Sequence, residues 1–151
     1  IMVNNFEIFK NYKKVKKYYE NEEKIIKSIK LFCDKNNLEF ISKPRLKFPF
    51  NDKLKKYAKI IYDDESKNYP TVLQEELSKS SLVVGSLSSA VFESVMFNVP
   101  YVNISIPNIA FTAEDDKYWY NYSNNSYYNY KGVVFNYNIK DFIENFKDKK
   151  L

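Results

Sequence analysis

The sequence predicts an α/β domain built on a Rossmann-like, doubly wound parallel sheet of about five to six strands. Three observations carry this. Short apolar runs alternate with amphipathic segments along the chain, a pattern that implies parallel strands covered by helices on both faces. The run Leu82-Val83-Val84 is apolar throughout, as a central strand buried on both faces must be. The 151 residues, 44% of them apolar, are enough for one domain with a real core.

The elements follow in order. Residues 1–9 read as the end of a strand, and 11–20 as a lysine- and tyrosine-rich helical connector. Asn21 offers a helix N-cap with Glu22 and Glu23 in the first turn, and Ile25, Ile26, Ile29, Phe32 and Cys33 recur at helical spacing. Asn36 and Asn37 close that helix; Leu38–Ser42 reads as a strand stopped by Pro44. Asp52–Tyr57 predicts a helical turn and Lys59–Asp63 a second short strand. Pro70 suits the first turn of a helix that continues to about Lys79. Leu82–Val84, Pro100–Ile104 and Lys131–Tyr137 are the remaining strands. Ser88–Phe97 and Ile139–Lys147 are the remaining helices, and Tyr118–Tyr130 is a long loop or irregular helix. The expected organisation is a strand remnant and connector over 1–20, then a ligand-binding domain over 21–151.

Composition removes several chemistries. The chain has no histidine, which excludes Ser-His-Asp and Cys-His catalysis and most zinc sites. Cys33 is the only cysteine, so no internal disulfide forms; it reads as a buried structural thiol. The net charge of +5 comes from lysines spread over helix surfaces, and Arg45 is the only arginine. Without arginine forks, nucleic acid is not the expected partner. No apolar run reaches the ~20 residues of a membrane span, and a cytoplasmic location is expected.

Ligands of open parallel sheets bind at the carboxyl ends of strands. The best candidate there is Leu82-Val83-Val84-Gly85-Ser86-Leu87-Ser88-Ser89-Ala90. A buried strand runs into small, hydroxylated residues and then a helix start, an arrangement suited to a nucleotide phosphate. It is neither a Walker A loop nor G-x-G-x-x-G. The competing role for Ser88 or Ser89 is to cap the helix.

The segment Leu82–Ile104, LVVGSLSSAVFESVMFNVPYVNI, resembles the donor site of GT-B glycosyltransferases. The resemblance is closest to bacterial capsule and surface-polysaccharide transferases, CDP-glycerol glycerophosphotransferases and sialyltransferases with paired serines. It extends weakly over about Asn21–Lys147 and is specific only over 80–104. It implies that the chain is the C-terminal domain of a GT-B fold, using no cofactor and no metal. Gly85, Ser86, Ser88 and Ser89 would bind nucleotide phosphate, Glu93 the ribose hydroxyls, and Pro100 would begin the next strand. Lys43-Pro44-Arg45 stands where relatives often carry His-Pro. Lys43 or Arg45 would then offset leaving-group charge, although neither is a proton shuttle at neutral pH; the competing role is a pair of surface charges.

On this resemblance the partners are a nucleotide-sugar or nucleotide-polyol donor, a glycan or lipid-linked acceptor, and an N-terminal domain not in this chain. The start Ile1-Met2 fits a fragment. Peripheral association with the inner face of the membrane is part of the same expectation. The alternatives are a nucleotide-sugar epimerase of the same fold and a noncatalytic carbohydrate- or partner-binding module. Weaker candidates are Asp63 and Asp64 near the base, Glu114, Asp115 and Asp116 at a sugar or metal, and Tyr118, Trp119, Tyr120 and Tyr122 stacking on sugar rings.

Overall fold

The apolar spacing that begins at Ile25 belongs to a longer helix than expected. In the computed structural model α1 spans Lys13–Lys35 without a break. The described residues are 2–4, 13–44, 52–64, 66, 69–86, 88–105 and 130–151; for 2–4, 13–19 and 105 only the backbone is described. Asn21 therefore sits inside α1 and does not cap its start. Glu20 to Glu23 lie on exposed or half-buried positions, and polar residues in a helix interior cost less than about 0.7 kcal/mol each. Nothing there stops the helix. Its end is as expected: Asn37 takes φ 53°, and Leu38 N donates to Cys33 O at 2.8 Å. Asparagine is one of the few residues that enter the left-handed region readily.

The other elements are mostly shorter than expected. The strands expected over 82–84 and 100–104 keep their length one residue further on. The one expected over 38–42 is displaced, so that Pro44, expected to stop it, is its last residue. Strand β1 is Met2–Asn4, β2 Ile41–Pro44 and β3 Lys59–Ile60, with a 3-10 turn over Asp52–Lys56 before β3. Helix α2 is Val72–Leu77. Pro70 lies outside it, because Thr71 and Gln74 close its start with reciprocal hydrogen bonds, a capping box. Strand β4 is Val83–Gly85, α3 Ala90–Met96, β5 Tyr101–Ser105 and β6 Val134–Asn138. Helix α4 is Ile139–Asn145, capped by Asn138 and followed by a 3-10 turn over Phe146–Asp148.

Parallel ladders join β2 to β3 and β4 to β5 to β6. The backbone of β1 lies between them, paired in parallel with β2 and β4. The order is β3-β2-β1-β4-β5-β6, so the chain steps outward in one direction after β1 and in the other after β4. The architecture is mixed α/β with parallel strands, compatible with a Rossmann-like fold.

Alternation along β4 and β5 sends neighbours to opposite faces. Val84, Val102 and Ile104 join Ile25, Ile29 and Phe32 of α1 and Phe142 of α4 in one core. Val83 and Tyr101 join Leu77 of α2 and Val91 of α3 in the other. In the first core Phe146 stacks on Phe142 and Phe32, with ring centroids 4.4 and 4.5 Å apart. Ser28 Oγ donates to Ile143 O at 3.1 Å, tying α1 to α4. Among the described residues no helix is long and apolar enough to cross a membrane.

Tyr101 is fully buried, and its ring lies across Gly85 on the neighbouring strand. A Cβ on Gly85 would stand 2.2 Å from Tyr101 Oη and 3.0 Å from Cζ. Gly85→Ala should therefore destabilise the fold by about 1–3 kcal/mol. Tyr101→Phe in the same chain should recover part of that loss, measured as a double-mutant cycle in urea; additive effects would refute the contact.

Candidate functional site

The carboxyl ends of β2, β4 and β5 carry most of the buried polar side chains among the described residues. Lys43, Ser86, Ser88 and Asn103 lie there, each at most 6% exposed. The sheet register explains why Lys43 and Asn103 share this end of the sheet. Lys43 pairs with Val3, Val3 with Gly85, Gly85 with Asn103 and Asn103 with Asn136. Residues in register across parallel strands share a face, here the face of Val83 and Tyr101 that α3 covers. Neighbouring strands are about 4.8 Å apart, so Lys43 and Asn136 each stand two strands, roughly 10 Å, from Gly85. The row also crosses β1 and β4, where the strand order reverses, the usual ligand crevice of such sheets.

Each expected site residue among those described has a definite place. Gly85 ends β4 and leaves room for Tyr101. Ser86 is fully buried and its hydroxyl donates to Ile104 O at 2.7 Å, fastening the β4 exit to the end of β5. Ser88 Oγ accepts from Ala90 N at 3.2 Å, so this serine serves the helix start. Ser89 is exposed and makes no side-chain cap bond. Glu93 is half-buried, one turn after Ser89 in α3. Residues four apart on a helix share a face with Cβ atoms about 6 Å apart. Helix α3 has seven residues, against ten expected from Ser88–Phe97; a helix this short adds little axial dipole, and side chains must supply most of the site's polarity.

Lys43 is not a surface charge. It is buried at the end of β2 and paired with the carboxylate of Asp63 from the segment after β3. Asp64 turns the other way: its Oδ1 accepts from Ser66 N and Ser66 Oγ at 3.0 and 2.6 Å. Arg45, the acidic run Glu114–Asp116 and the aromatic residues Tyr118, Trp119, Tyr120 and Tyr122 lie outside the described residues. Asn103 and Asn136 were not anticipated. Asn103 Nδ2 donates to Asn136 Oδ1 at 2.8 Å. A polar residue inside the apolar strand Tyr101–Ile104 was the available signal, but only the ladder brings Asn136 beside it. No group of three or more metal-ligating side chains occurs among the described residues.

A cavity of about 300 Å³ lies elsewhere, at the amino ends of β2 and β4. Its walls include Ile29, Phe32, Cys33, Phe40 and Leu82, and the lysines lining it are paired, Lys59 with Glu39 at 3.8 Å and Lys79 with Glu76 at 3.7 Å. This cavity lies at the amino ends of the strands, whereas ligands of open parallel sheets bind at the carboxyl ends, so the polar row is the better candidate.

Comparison with known protein families, with curated proteins and with solved structures finds no match.

Ser86→Ala should cost about 1–3 kcal/mol, because it orphans the Ile104 carbonyl in a buried place. Ser89→Ala should stay within about 0.5 kcal/mol, as surface changes do; equal losses in thermal unfolding would contradict these placements. Burial pushes the Cys33 thiol above its ordinary value. Iodoacetamide at pH 8 should then alkylate the native protein much more slowly than the unfolded chain, followed by mass spectrometry. Since the folded-state value is the higher one, stability is unaffected below the unfolded value and falls as pH rises through the window above it.

Proposed function

We propose that this chain is the donor nucleotide-binding domain of a glycosyltransferase, or of a glycerol-phosphate-type transferase, in bacterial surface-polysaccharide synthesis. On this reading the parallel sheet is a Rossmann-like, doubly wound one of about five to six strands, serving as the C-terminal half of a GT-B fold. The observation that carries the reading is the gathering of buried polar groups at the carboxyl ends of β2, β4 and β5, at the reversal of strand order.

The roles divide by exposure. Gly85 and Ser86 shape the loop, Ser88 holds the helix start, and Ser89 presents its hydroxyl to the donor phosphate. Glu93, on the same helix face, accepts hydrogen bonds from the ribose diol, a charge-assisted pairing. The ~6 Å between Ser89 and Glu93 suits the phosphate and ribose of one nucleotide. Lys43 offsets charge on the leaving phosphate, with Arg45 beside it in sequence. Proton transfer falls to groups outside this chain, since it holds no histidine. The acceptor, glycan or lipid-linked, would approach from the partner domain.

One observation favours a second reading, a noncatalytic binding module. Lys43 is already paired with Asp63, so the cationic group has a partner within the chain. Titration with CMP, CDP and UDP, followed by calorimetry or amide NMR shifts, separates the two. The donor-site reading expects binding at or below millimolar nucleotide, with Ser89→Ala and Glu93→Ala each weakening it by about tenfold, the equivalent of one charge-assisted hydrogen bond. Absence of binding at millimolar nucleotide overturns it.

A further inference from the structure

The Lys43–Asp63 pair is unequal. The lysine side chain is 7% exposed and the aspartate 37%. A buried ammonium is costly without a counter-charge, while a carboxylate near the surface recovers its hydration when released. Separating the pair therefore penalises one partner only: Lys43 cannot leave its place at the end of β2, and Asp63 can. The segment holding Asp63 does not depend on the pair alone, because Ile61 N donates to Ser42 O of β2 at 3.0 Å, two residues before Asp63. Lys43 also belongs to the register row that contains Gly85 and Asn103.

We propose that Asp63 is a placeholder for the ligand: its carboxylate occupies the position on Lys43 that a phosphate oxygen takes when a phosphate ester binds. This rests on the nucleotide-phosphate reading above and adds a regulation to it. Binding exchanges one anion for another on a fixed cation, so the buried charge is never bare. The exchange also sets selectivity. A diphosphate carries enough charge to displace a carboxylate; an uncharged nucleoside or sugar does not, and meets a closed pair. Asp63 thereby acts through Lys43 and touches neither the sugar nor the base.

The test uses inorganic pyrophosphate, which carries the charge without a base, and cytidine, which carries the base without the charge. Asp63→Asn keeps the shape and removes the competing charge. It should bind pyrophosphate about three- to tenfold tighter than the natural sequence, with cytidine binding unchanged. The gain should vanish in Lys43→Met/Asp63→Asn. Unchanged or weaker pyrophosphate binding by Asp63→Asn, or a gain that persists in the double variant, overturns the placeholder. In the natural sequence the Asp63 carboxyl ¹³C shift should move toward that of a solvated aspartate as pyrophosphate saturates, a readout that survives even if Asp63→Asn fails to fold; a shift that stays put at saturation overturns the proposal. If neither pyrophosphate nor any of CMP, CDP and UDP binds any of these chains, the nucleotide-phosphate reading itself falls. Nucleotide binding with no effect of Asp63 removes the placeholder alone.

Discussion

Burial of β4 and β5 on both faces is the constraint from which the rest of this fold follows. Adjacent residues cannot point the same way along a strand, so Val83 and Tyr101 demand cover on one side while Val84, Val102 and Ile104 demand it on the other. Helices α1 and α4 meet the second demand and α2 and α3 the first. Once both faces are covered, polar groups brought in by these strands have water within reach only near their ends. The carboxyl end is where Ser86 and Asn103 emerge, and where the register adds Lys43. The candidate site is thus a by-product of the core: it gathers what the two apolar layers exclude.

Much of the architecture was legible because apolar periodicity records burial directly. The helix face Ile25, Ile26, Ile29, Phe32 and Cys33 is buried as its spacing implied, and each apolar run over the described residues became a strand or helix of the expected type. Boundaries were less legible. The segment 11–20 read as a separate helical connector because Asn21 resembled a cap; continuity with the well-packed half carries α1 through it. At α2, Pro70 looked like the first helical residue, but the Thr71–Gln74 reciprocal bonds decide the start. Strand ends were displaced because pairing, not hydrophobicity, defines them: β3 pairs over only two residues, while β2 runs through Pro44.

The site divides along the same line. The loop from Gly85 to Ser89 was visible because small and hydroxylated residues are adjacent in sequence. What each hydroxyl does was not, since Ser86 donates to a carbonyl eighteen residues away and Ser88 accepts from an amide N–H two residues on. Likewise Lys43 and Asp63 are twenty positions apart, and Asn103 and Asn136 thirty-three. The meeting of Asn103 and Asn136 depends on the sheet register, and a one-residue slip would have sent either to the other face. Side chains read as a motif gave the place; contacts between distant segments give the pairing.

The end of the chain is fastened with unusual care. Lys35 Nζ donates to Asp148 O at 2.9 Å, Asn36 Nδ2 to Lys149 O at 3.2 Å, and Leu151 N to Asn36 Oδ1 at 3.0 Å. These bonds hold residues 148–151 against the last turn of α1, which leads into the amino end of β2 and so lies at the end of the sheet away from the polar row. A protein tethered to a solid support through Leu151 would hence present its strand carboxyl ends outward to the solution.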